Sequence, residues 1–205
     1  MSNIQSVNSL PQCYTYTMQT AIIIHGMPSK EEYYDPRRRS TSRGHWIAWL
    51  QRQLILKEIL TQTPEMPEPY APVYEKWSEV FGQYAIDKDT ILIGHSYGAG
   101  FLLRYLSEHT LETGKVILVA PWLDPHNELG EDIFSCTIDE KLKEKSKDVI
   151  VVYSLDDDQE IIDSSLKIIG SIKNVVTKVF TDKGHFTYGE MGTSEFPELL
   201  EICLN

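Results

Sequence analysis

The sequence predicts an α/β fold in which a mostly parallel sheet is covered by helices on both faces. Short apolar runs of strand length alternate with longer segments whose apolar residues recur at helical spacing, which is the pattern of β/α units. The run at 90–93 is continuously apolar, as expected for a parallel strand buried on both faces. With 205 residues the chain is long enough to bury one substantial core. We therefore expect one domain at 20–205, without a lid domain, after a flexible polar extension at 1–19.

Strands are expected where a short apolar run is bounded by turn residues, namely at 20–25, 90–93, 116–120, 149–153 and 175–180. Helical spacing indicates helices at 45–60, 73–84, 160–170 and 195–204, and one more that begins at Ser96 and reaches His109. In the first two helices the candidate core residues are Trp46, Trp49, Leu50, Leu54, Ile55, Trp77, Val80 and Phe81. Helix-breaking prolines predict an extended connection at 64–72. Residues 29–44 are expected to form a polar loop, and residues 121–147 a mixed, partly helical stretch.

The strand at 90–93 leads into Gly94-His95-Ser96-Tyr97-Gly98, a Gly-x-Ser-x-Gly sequence that opens the next helix. In this context the pattern is typical of a nucleophile elbow, whose serine is held in a strained backbone conformation at the carboxyl edge of the sheet. Side chains in place of the two glycines would collide where strand and helix cross. Ser96 is therefore the candidate nucleophile.

Two other interpretations apply to glycine-rich turns of this kind. One is a turn packed for structure alone. The other is a dinucleotide-binding turn, but Gly94, Gly98 and Gly100 stand in the order G-x-x-x-G-x-G instead of G-x-G-x-x-G. The next strand also ends in Ala120-Pro121, where such a site needs an acidic residue to hold a ribose.

A serine nucleophile needs a histidine base, which in turn needs a carboxylate to fix its tautomer. In α/β-hydrolases the acid and then the histidine follow the serine along the chain. After Ser96 come three histidines, of which His109 lies at the far end of the same helix, roughly 20 Å away. His126 lies in a loop that could border the site. His185 follows an apolar strand, which places it at the carboxyl edge of the sheet, and it is the favoured base.

The acid is expected after the strand at 149–153, where the chain continues as Ser154-Leu155-Asp156-Asp157-Asp158. Three adjacent carboxylates leave the choice open at this point. An aspartate run is otherwise typical of a solvated turn or a helix N-cap. A divalent-metal site is disfavoured, because no second carboxylate or histidine cluster with ligand spacing accompanies the run.

The oxyanion hole needs two backbone N–H donors. One is expected from Tyr97, which follows the nucleophile, and the other from the loop after the first central strand. That loop reads His25-Gly26-Met27-Pro28, and because proline has no N–H, Met27 is the expected second donor.

Composition excludes several other functions. The net charge of −11 argues against a nucleic-acid partner, and the basic cluster at Arg37, Arg38, Arg39 and Arg43 is read as a solvated loop. No apolar run approaches the roughly 20 residues of a membrane span, and the polar first residues show no secretory signal. Three cysteines far apart suit free thiols in a reducing cytoplasm.

From about Thr20 onward the chain resembles the small, lidless α/β-hydrolases related to retinoblastoma-binding protein nine. The resemblance rests on the order and spacing of Ile24-His25-Gly26, Gly44-His45-Trp46 with Trp49, Met66-Pro67-Glu68-Pro69 before Trp77, and the segments at 90–96, 154–157 and 181–186. It implies a Ser-His-Asp serine hydrolase with esterase-like or peptidase-like activity toward small substrates. Counted from Ser154 at the strand end, the family pattern puts the acid at Asp157. Counting back from His185 without a gap gives Asp158 instead.

Two departures from the family are visible. The Leu-x-Cys-x-Glu motif that gives the family its name is replaced by Tyr84-Ala85-Ile86-Asp87-Lys88, so a retinoblastoma-type interaction is not expected. The segment Asp158-Gln159-Glu160-Ile161-Ile162 has one residue more than the family's loop and lacks its proline.

The combined prediction is a cytoplasmic serine hydrolase that cleaves small ester or amide substrates through an acyl-enzyme. Ser96, His185 and Asp157 form the triad, the Met27 and Tyr97 amides form the oxyanion hole, and no cofactor or metal is required. Neither nucleic acid nor membrane is an expected partner, and homodimer formation is left open. The alternatives are a non-catalytic binding protein of hydrolase fold, and a thioesterase or lipid esterase. Candidates to line an apolar pocket, each equally compatible with ordinary packing, are Trp46, Trp122 and Phe186.

Overall fold

The computed structural model describes residues 18–129, 134 and 136–205. The strands of this part of the chain are β1 (Thr20–Ile24), β2 (Leu60–Gln62), β3 (Ile91–His95), β4 (Thr113–Val119), β5 (Ser146–Ser154) and β6 (Val176–Phe180). They form one sheet in the order β2-β1-β3-β4-β5-β6, and every neighbouring pair is parallel.

The helices occupy the connections between strands. They are α1 (Lys30–Tyr34), α2 (Ile47–Ile55), α3 (Tyr74–Phe81), α4 (Tyr97–Glu108), α5 (Leu142–Lys145), α6 (Gln159–Ser171), α7 (Tyr188–Met191) and α8 (Pro197–Leu204), with a short 3-10 helix at Thr41–Arg43. Among the described residues, none of these helices is long and apolar enough to cross a membrane.

The central strands are covered on both faces. Every residue of β3 is buried, and since successive side chains of a strand point to opposite faces, neither face of β3 meets solvent. Helix α4 packs on β1, β3 and β4, α2 packs on β1 and β2, and α6 packs on β5. The predicted parallel sheet with helices on both faces is therefore confirmed.

The helices present their apolar residues at the predicted spacing. Ile47, Leu50 and Leu54 form the buried side of α2, while Tyr74, Trp77 and Phe81 do the same for α3. Trp49 and Val80 pack against the core while staying partly exposed. The expectation that Ile55 is buried is wrong: its position next to Leu54 turns it away from the stripe, and it is 50% exposed.

Strand β2 was not predicted, because its sequence Leu60-Thr61-Gln62 buries only the middle residue. The helix expected to run to residue 60 instead ends at Ile55, and Glu58 adopts a positive φ of 62° that reverses the chain. The Leu60 N–H then donates to the Gln19 carbonyl, which starts the pairing of β2 with β1.

Two connections contain more structure than expected. The predicted polar loop at 29–44 includes α1, which begins with a capping box between Ser29 and Glu32, and the 3-10 helix. The mixed stretch at 121–147 contains α5 and the first residues of β5, while 130–133 and 135 lie outside the described residues. Of the extension expected at 1–19, only Met18 and Gln19 are described, and both are exposed.

Candidate active site

Ser96 stands between the end of β3 and the start of α4 with φ 55° and ψ −122°, a conformation that costs energy for any residue with a side chain. The turn is tight because strand and helix touch. A Cβ on Gly94 would lie 2.5 Å from Ala99 Cα, and one on Gly98 would lie 2.3 Å from the His25 carbonyl oxygen. Only glycine fits at either position, so the Gly-x-Ser-x-Gly sequence dictates the elbow.

His185 and Asp157 lie in contact. The His185 Nδ1–H donates to both Asp157 carboxylate oxygens, at 3.0 and 3.2 Å. The Asp157 side chain is only 1% exposed, whereas the His185 ring is 23% exposed. Because Nδ1 carries the proton, Nε2 keeps a lone pair with which it can accept another. Of the three adjacent aspartates, the structure brings Asp157 to His185.

The neighbouring Asp156 fixes the loop that carries His185. Its carboxylate accepts hydrogen bonds from the Ser154 hydroxyl and from the Gly184 N–H at 3.1 Å, and the Ser154 oxygen accepts from the Lys183 N–H. The hydrogen bond from Ser154, followed by that from Gly184, lowers the pKa of Asp156. Asp158 occupies the N-cap position of α6 without a side-chain capping bond. Neither Asp156 nor Asp158 contacts the His185 ring through a hydrogen bond.

Two backbone amides lie free beside the serine. Among the residues that the structure describes, neither the Met27 N–H nor the Tyr97 N–H finds an acceptor. The loop carrying Met27 approaches closely, since a Cβ on Gly26 would lie 3.0 Å from Ser96 Cβ. This pair of unpaired donors is what an oxyanion hole requires.

A buried histidine holds the Met27 loop in place. His25 donates from Nδ1 to the Gly26 carbonyl at 2.8 Å and accepts at Nε2 from the Met66 N–H at 2.9 Å, so the ring is neutral with its proton on Nδ1. Burial lowers the pKa of His25, against the opposing effects of the Gly26 carbonyl and Glu65. Sequence analysis did not assign His25 a role, although its place before Gly26 was visible.

Two further histidines surround His185. The buried His95 donates from Nε2 to the His185 carbonyl at 2.9 Å, and the His45 ring lies 5.7 Å from that of His95. Burial, and then the neighbouring His185, lower the pKa of both His45 and His95. His45 is anchored in turn, because its Nδ1 accepts from the Tyr188 N–H at 3.1 Å. These contacts hold the backbone at the His185 carbonyl and at Tyr188.

A cleft of about 680 Å³ opens over these groups. Its lining includes Met27, Ser96 and His185, together with His25, His45 and His95. A smaller cavity of about 280 Å³, between Lys115, Phe180 and Glu198, contains none of the predicted site residues. The larger cleft has the volume of an ordinary small-molecule site.

The aromatic residues expected as pocket candidates belong to the core instead. Trp46 and Phe186 are fully buried, each stacked or edge-on against Phe196, and Trp122 packs near Tyr97 and Phe134. None of the three lines the cleft.

The wall of the cleft is instead basic, which sequence analysis missed. Arg38, Arg39 and Arg43 contribute to its lining, although the cluster was read as a solvated loop. The signal was its position: the loop follows β1, so it starts at the carboxyl edge of the sheet, where the serine also lies.

The two alternative histidines lie outside the lining of the cleft. His126 is exposed and lies 3.5 Å from Glu160, and His109 stacks on Tyr105 at the end of α4. In the described part of the chain, His, Cys, Asp and Glu side chains form no group of three that could hold a metal ion.

Known proteins resemble this chain over most of its length. The family model described as serine hydrolase matches residues 37–202. YdeN of Bacillus subtilis (strain 168) is 28% identical over 176 residues, which cover 81% of this chain and 90% of YdeN. The serine hydrolase RBBP9 of Rattus norvegicus is 28% identical over 163 residues, covering 77% of this chain and 83% of RBBP9.

Solved structures of other proteins share the fold of this chain. The crystal structure of the B. subtilis ydeN gene product superposes with a TM-score of 0.77 at 25% identity, over 91% of this chain and 97% of that one. Est1E from Butyrivibrio proteoclasticus gives a TM-score of 0.59 at 15% identity, over 91% and 85% of the two chains, and shares the fold. The resemblance seen in the sequence is thus confirmed, and the chain belongs to the serine hydrolase family.

Proposed function

We propose that this protein hydrolyses small esters or amides by acyl transfer to Ser96. One observation carries the proposal: a serine in a strained elbow conformation shares a cleft with His185, whose ring is held by the buried carboxylate of Asp157. A serine, a base and an orienting acid in this order are the minimum for nucleophilic catalysis by a hydroxyl group.

In the first half of the reaction the Ser96 oxygen attacks the substrate carbonyl carbon while His185 Nε2 takes the hydroxyl proton. Asp157 stays ionised and stabilises the imidazolium through the Nδ1–H bond. The carbonyl oxygen becomes an oxyanion that accepts from the Met27 and Tyr97 amides. When the tetrahedral intermediate collapses, His185 gives its proton to the departing alcohol or amine, and Ser96 keeps the acyl group.

In the second half of the reaction, water replaces the Ser96 hydroxyl as the nucleophile and attacks the acyl-enzyme. His185 removes a proton from water, the resulting hydroxide attacks the ester carbon, and the proton returns to Ser96 as the acid product leaves. In the described part of the chain, the hydrogen bonds of the His185 ring go to Asp157 and not to the Ser96 hydroxyl. Hydrogen bonds of this kind often tighten only when substrate is bound.

The protein needs no cofactor in this scheme, because every proton and electron pair comes from the chain, the substrate or water. We propose a small molecule as substrate, and neither nucleic acid nor a membrane as partner. A cytoplasmic location is part of the proposal, and it is supported by the free thiols of Cys136 and Cys203. Cys13 lies outside the described residues.

The experiment is a screen of 4-nitrophenyl esters of graded chain length, with aminoacyl arylamides assayed beside them. Ser96→Ala should lower the turnover of any substrate found by about 10⁶-fold, since only oxyanion-hole catalysis remains. His185→Gln should behave like Ser96→Ala. His126→Gln is the matched control and should retain activity, because His126 is exposed and outside the cleft lining. Equal turnover by wild type and a folded Ser96→Ala protein would refute the proposal.

A further inference from the structure

The charge of the cleft is opposite to that of the chain. The whole protein carries a net charge of −11, yet Arg38, Arg39 and Arg43 line the cleft. Against them, Glu32 is the one carboxylate among the described lining residues. A local reversal of sign beside a nucleophile gives the cleft a field that attracts anions.

The loop that carries these arginines is held by its own hydrogen bonds. Glu32 closes the capping box with Ser29 and also accepts from Arg38 Nη1 at 2.7 Å. Farther along, the N–H groups of Thr41 and Ser42 donate to the two carboxylate oxygens of Glu65 at 3.2 and 2.8 Å. The loop is therefore tied at both ends, and the arginines are presented from a fixed backbone.

Two acidic residues of this loop pair with arginines of the same loop. Asp35 pairs with Arg37, which is 88% exposed and absent from the cleft lining, and Glu32 pairs with Arg38. Arg39 and Arg43 form no ion pair with any residue that the structure describes. Two guanidinium groups at the cleft are thus left available to a ligand.

Arg38, one arginine of this basic wall, influences the pKa of a histidine that lines the cleft. The pKa of His45 is lowered first by burial, then by His185, and to a smaller extent by Arg38, against the opposing charges of Glu32 and Glu190. The His45 ring also lines the cleft with Ser96 and His185. A ligand bound through the arginines and a reacting carbonyl at Ser96 would therefore share one cavity of about 680 Å³.

We propose that the cleft selects esters or amides that carry a carboxylate, with Arg39 and Arg43 as the residues that bind it. The planar guanidinium group offers paired N–H donors that match the two oxygens of a carboxylate. This inference rests on the proposed function, to which it adds the substrate class. An extended polyanion fits less well, because beyond the cleft it would meet the negative surface of the chain.

The test compares substrates that differ only in the anion. In the first pair, mono-4-nitrophenyl adipate carries the carboxylate on its acyl group, and 4-nitrophenyl hexanoate is its neutral counterpart. For the leaving group, 4-acetoxyphenylacetate is compared with 4-methylphenyl acetate, because their two phenol leaving groups are of nearly equal acidity. Wild type should show a higher kcat/KM for the anionic member of at least one pair, and the preference should shrink as salt is raised, since ions screen the attraction. The pair that shows it identifies which side of the reacting carbonyl faces the arginines.

The test protein is a double variant that combines Arg39→Gln with Arg43→Gln. The control is the single variant Arg37→Gln. The double variant should reduce the anionic-to-neutral ratio of kcat/KM by roughly 10- to 100-fold, the range expected for losing hydrogen bonds to a charged group. Arg37→Gln removes one positive charge from the same loop but outside the cleft, and should leave the ratio unchanged. Equal ratios for all three proteins, or a wild type without preference, would overturn the inference.

Binding separates this inference from the proposed function. Ser96→Ala is titrated calorimetrically with monomethyl adipate and methyl hexanoate, and with 4-acetoxyphenylacetate and 4-methylphenyl acetate, which requires no turnover. Tighter binding of the anionic member of either pair, lost when Arg39→Gln and Arg43→Gln are added, supports the inference even if wild type hydrolyses none of these esters. Normal hydrolysis together with equal binding of the anionic and neutral members in both pairs would leave the proposed function standing and refute the inference.

Discussion

At the scale of single residues, the three adjacent aspartates show how burial assigns different roles to the same side chain. Asp157 is buried against His185, Asp156 ties the loop after β5 to the loop after β6, and Asp158 is exposed before α6. The sequence alone could not separate them, because they differ by one residue in register. The choice depends on how the loop leaves β5, which only the folded chain shows.

Replacing Asp157 by Asn is expected to lower kcat by about 10⁴-fold, because an amide favours the wrong tautomer of His185. Asp158→Asn is the matched control and should keep near-normal kcat, since its side chain bonds neither His185 nor the helix end. The measurement is steady-state turnover of one activated ester by both variants. Loss of activity in Asp158→Asn with retention in Asp157→Asn would reverse the assignment.

At the scale of secondary-structure elements, the crossing of β1 and α4 controls the geometry of the elbow. Gly98 touches the carbonyl groups of Ile24 and His25, which precede the Met27 loop. The spacing of the glycines made this contact predictable. The position of the arginines in the cleft lining could not be predicted from composition, because a run of arginines is equally typical of a solvated surface.

Gly98→Ala should destabilise the protein by about 1–3 kcal/mol, because the new methyl group would overlap the backbone of β1. Gly170→Ala is the matched control: no atom lies within 4 Å of its Cβ position near the end of α6, and a gain of about 0.4–1 kcal/mol is expected. Urea unfolding of the two variants measures both effects. A Gly98→Ala protein as stable as wild type would show that strand and helix cross less closely than described.

At the scale of the whole molecule, the parallel sheet and most of its strands followed from the alternation of apolar runs, whereas the strand order came from the folded structure. The exception is β2, whose short and mostly exposed sequence carries no strand signal. The clustering of His25, His45 and His95 around the site was also not predicted, since residues 20 to 70 positions apart meet only in the folded chain. That cluster links the stability of the fold to pH.

The free energy of unfolding should fall as the pH is lowered from about 7.5 to about 5.5, because these histidines bind protons in the unfolded chain and stay neutral in the folded chain. Burial lowers the pKa of His25, His45 and His95 below 6.5, so their contribution is complete above that value and is lost as pH falls below it. Each can contribute up to about 1.4 kcal/mol per pH unit. Urea unfolding across this range measures the slope.

The control for this prediction is His25→Asn, which removes one of the three titrating groups and should reduce the slope. Carboxylates such as Asp139, whose pKa is lowered by Lys145, change protonation only at more acidic pH and do not contribute in this window. A free energy of unfolding that stays constant from about pH 7.5 to about pH 5.5 would contradict the described burial of His25 and His95.

The central claim is that Ser96 is a nucleophile activated by His185, and covalent labelling tests it most directly. A fluorophosphonate probe should attach to Ser96 Oγ with loss of fluoride, and peptide mass spectrometry should locate the adduct there. Ser96→Ala should not be labelled, His185→Gln should be labelled far more slowly, and His126→Gln should be labelled at the wild-type rate. No adduct on wild type, or an adduct on a folded Ser96→Ala protein, would contradict the account.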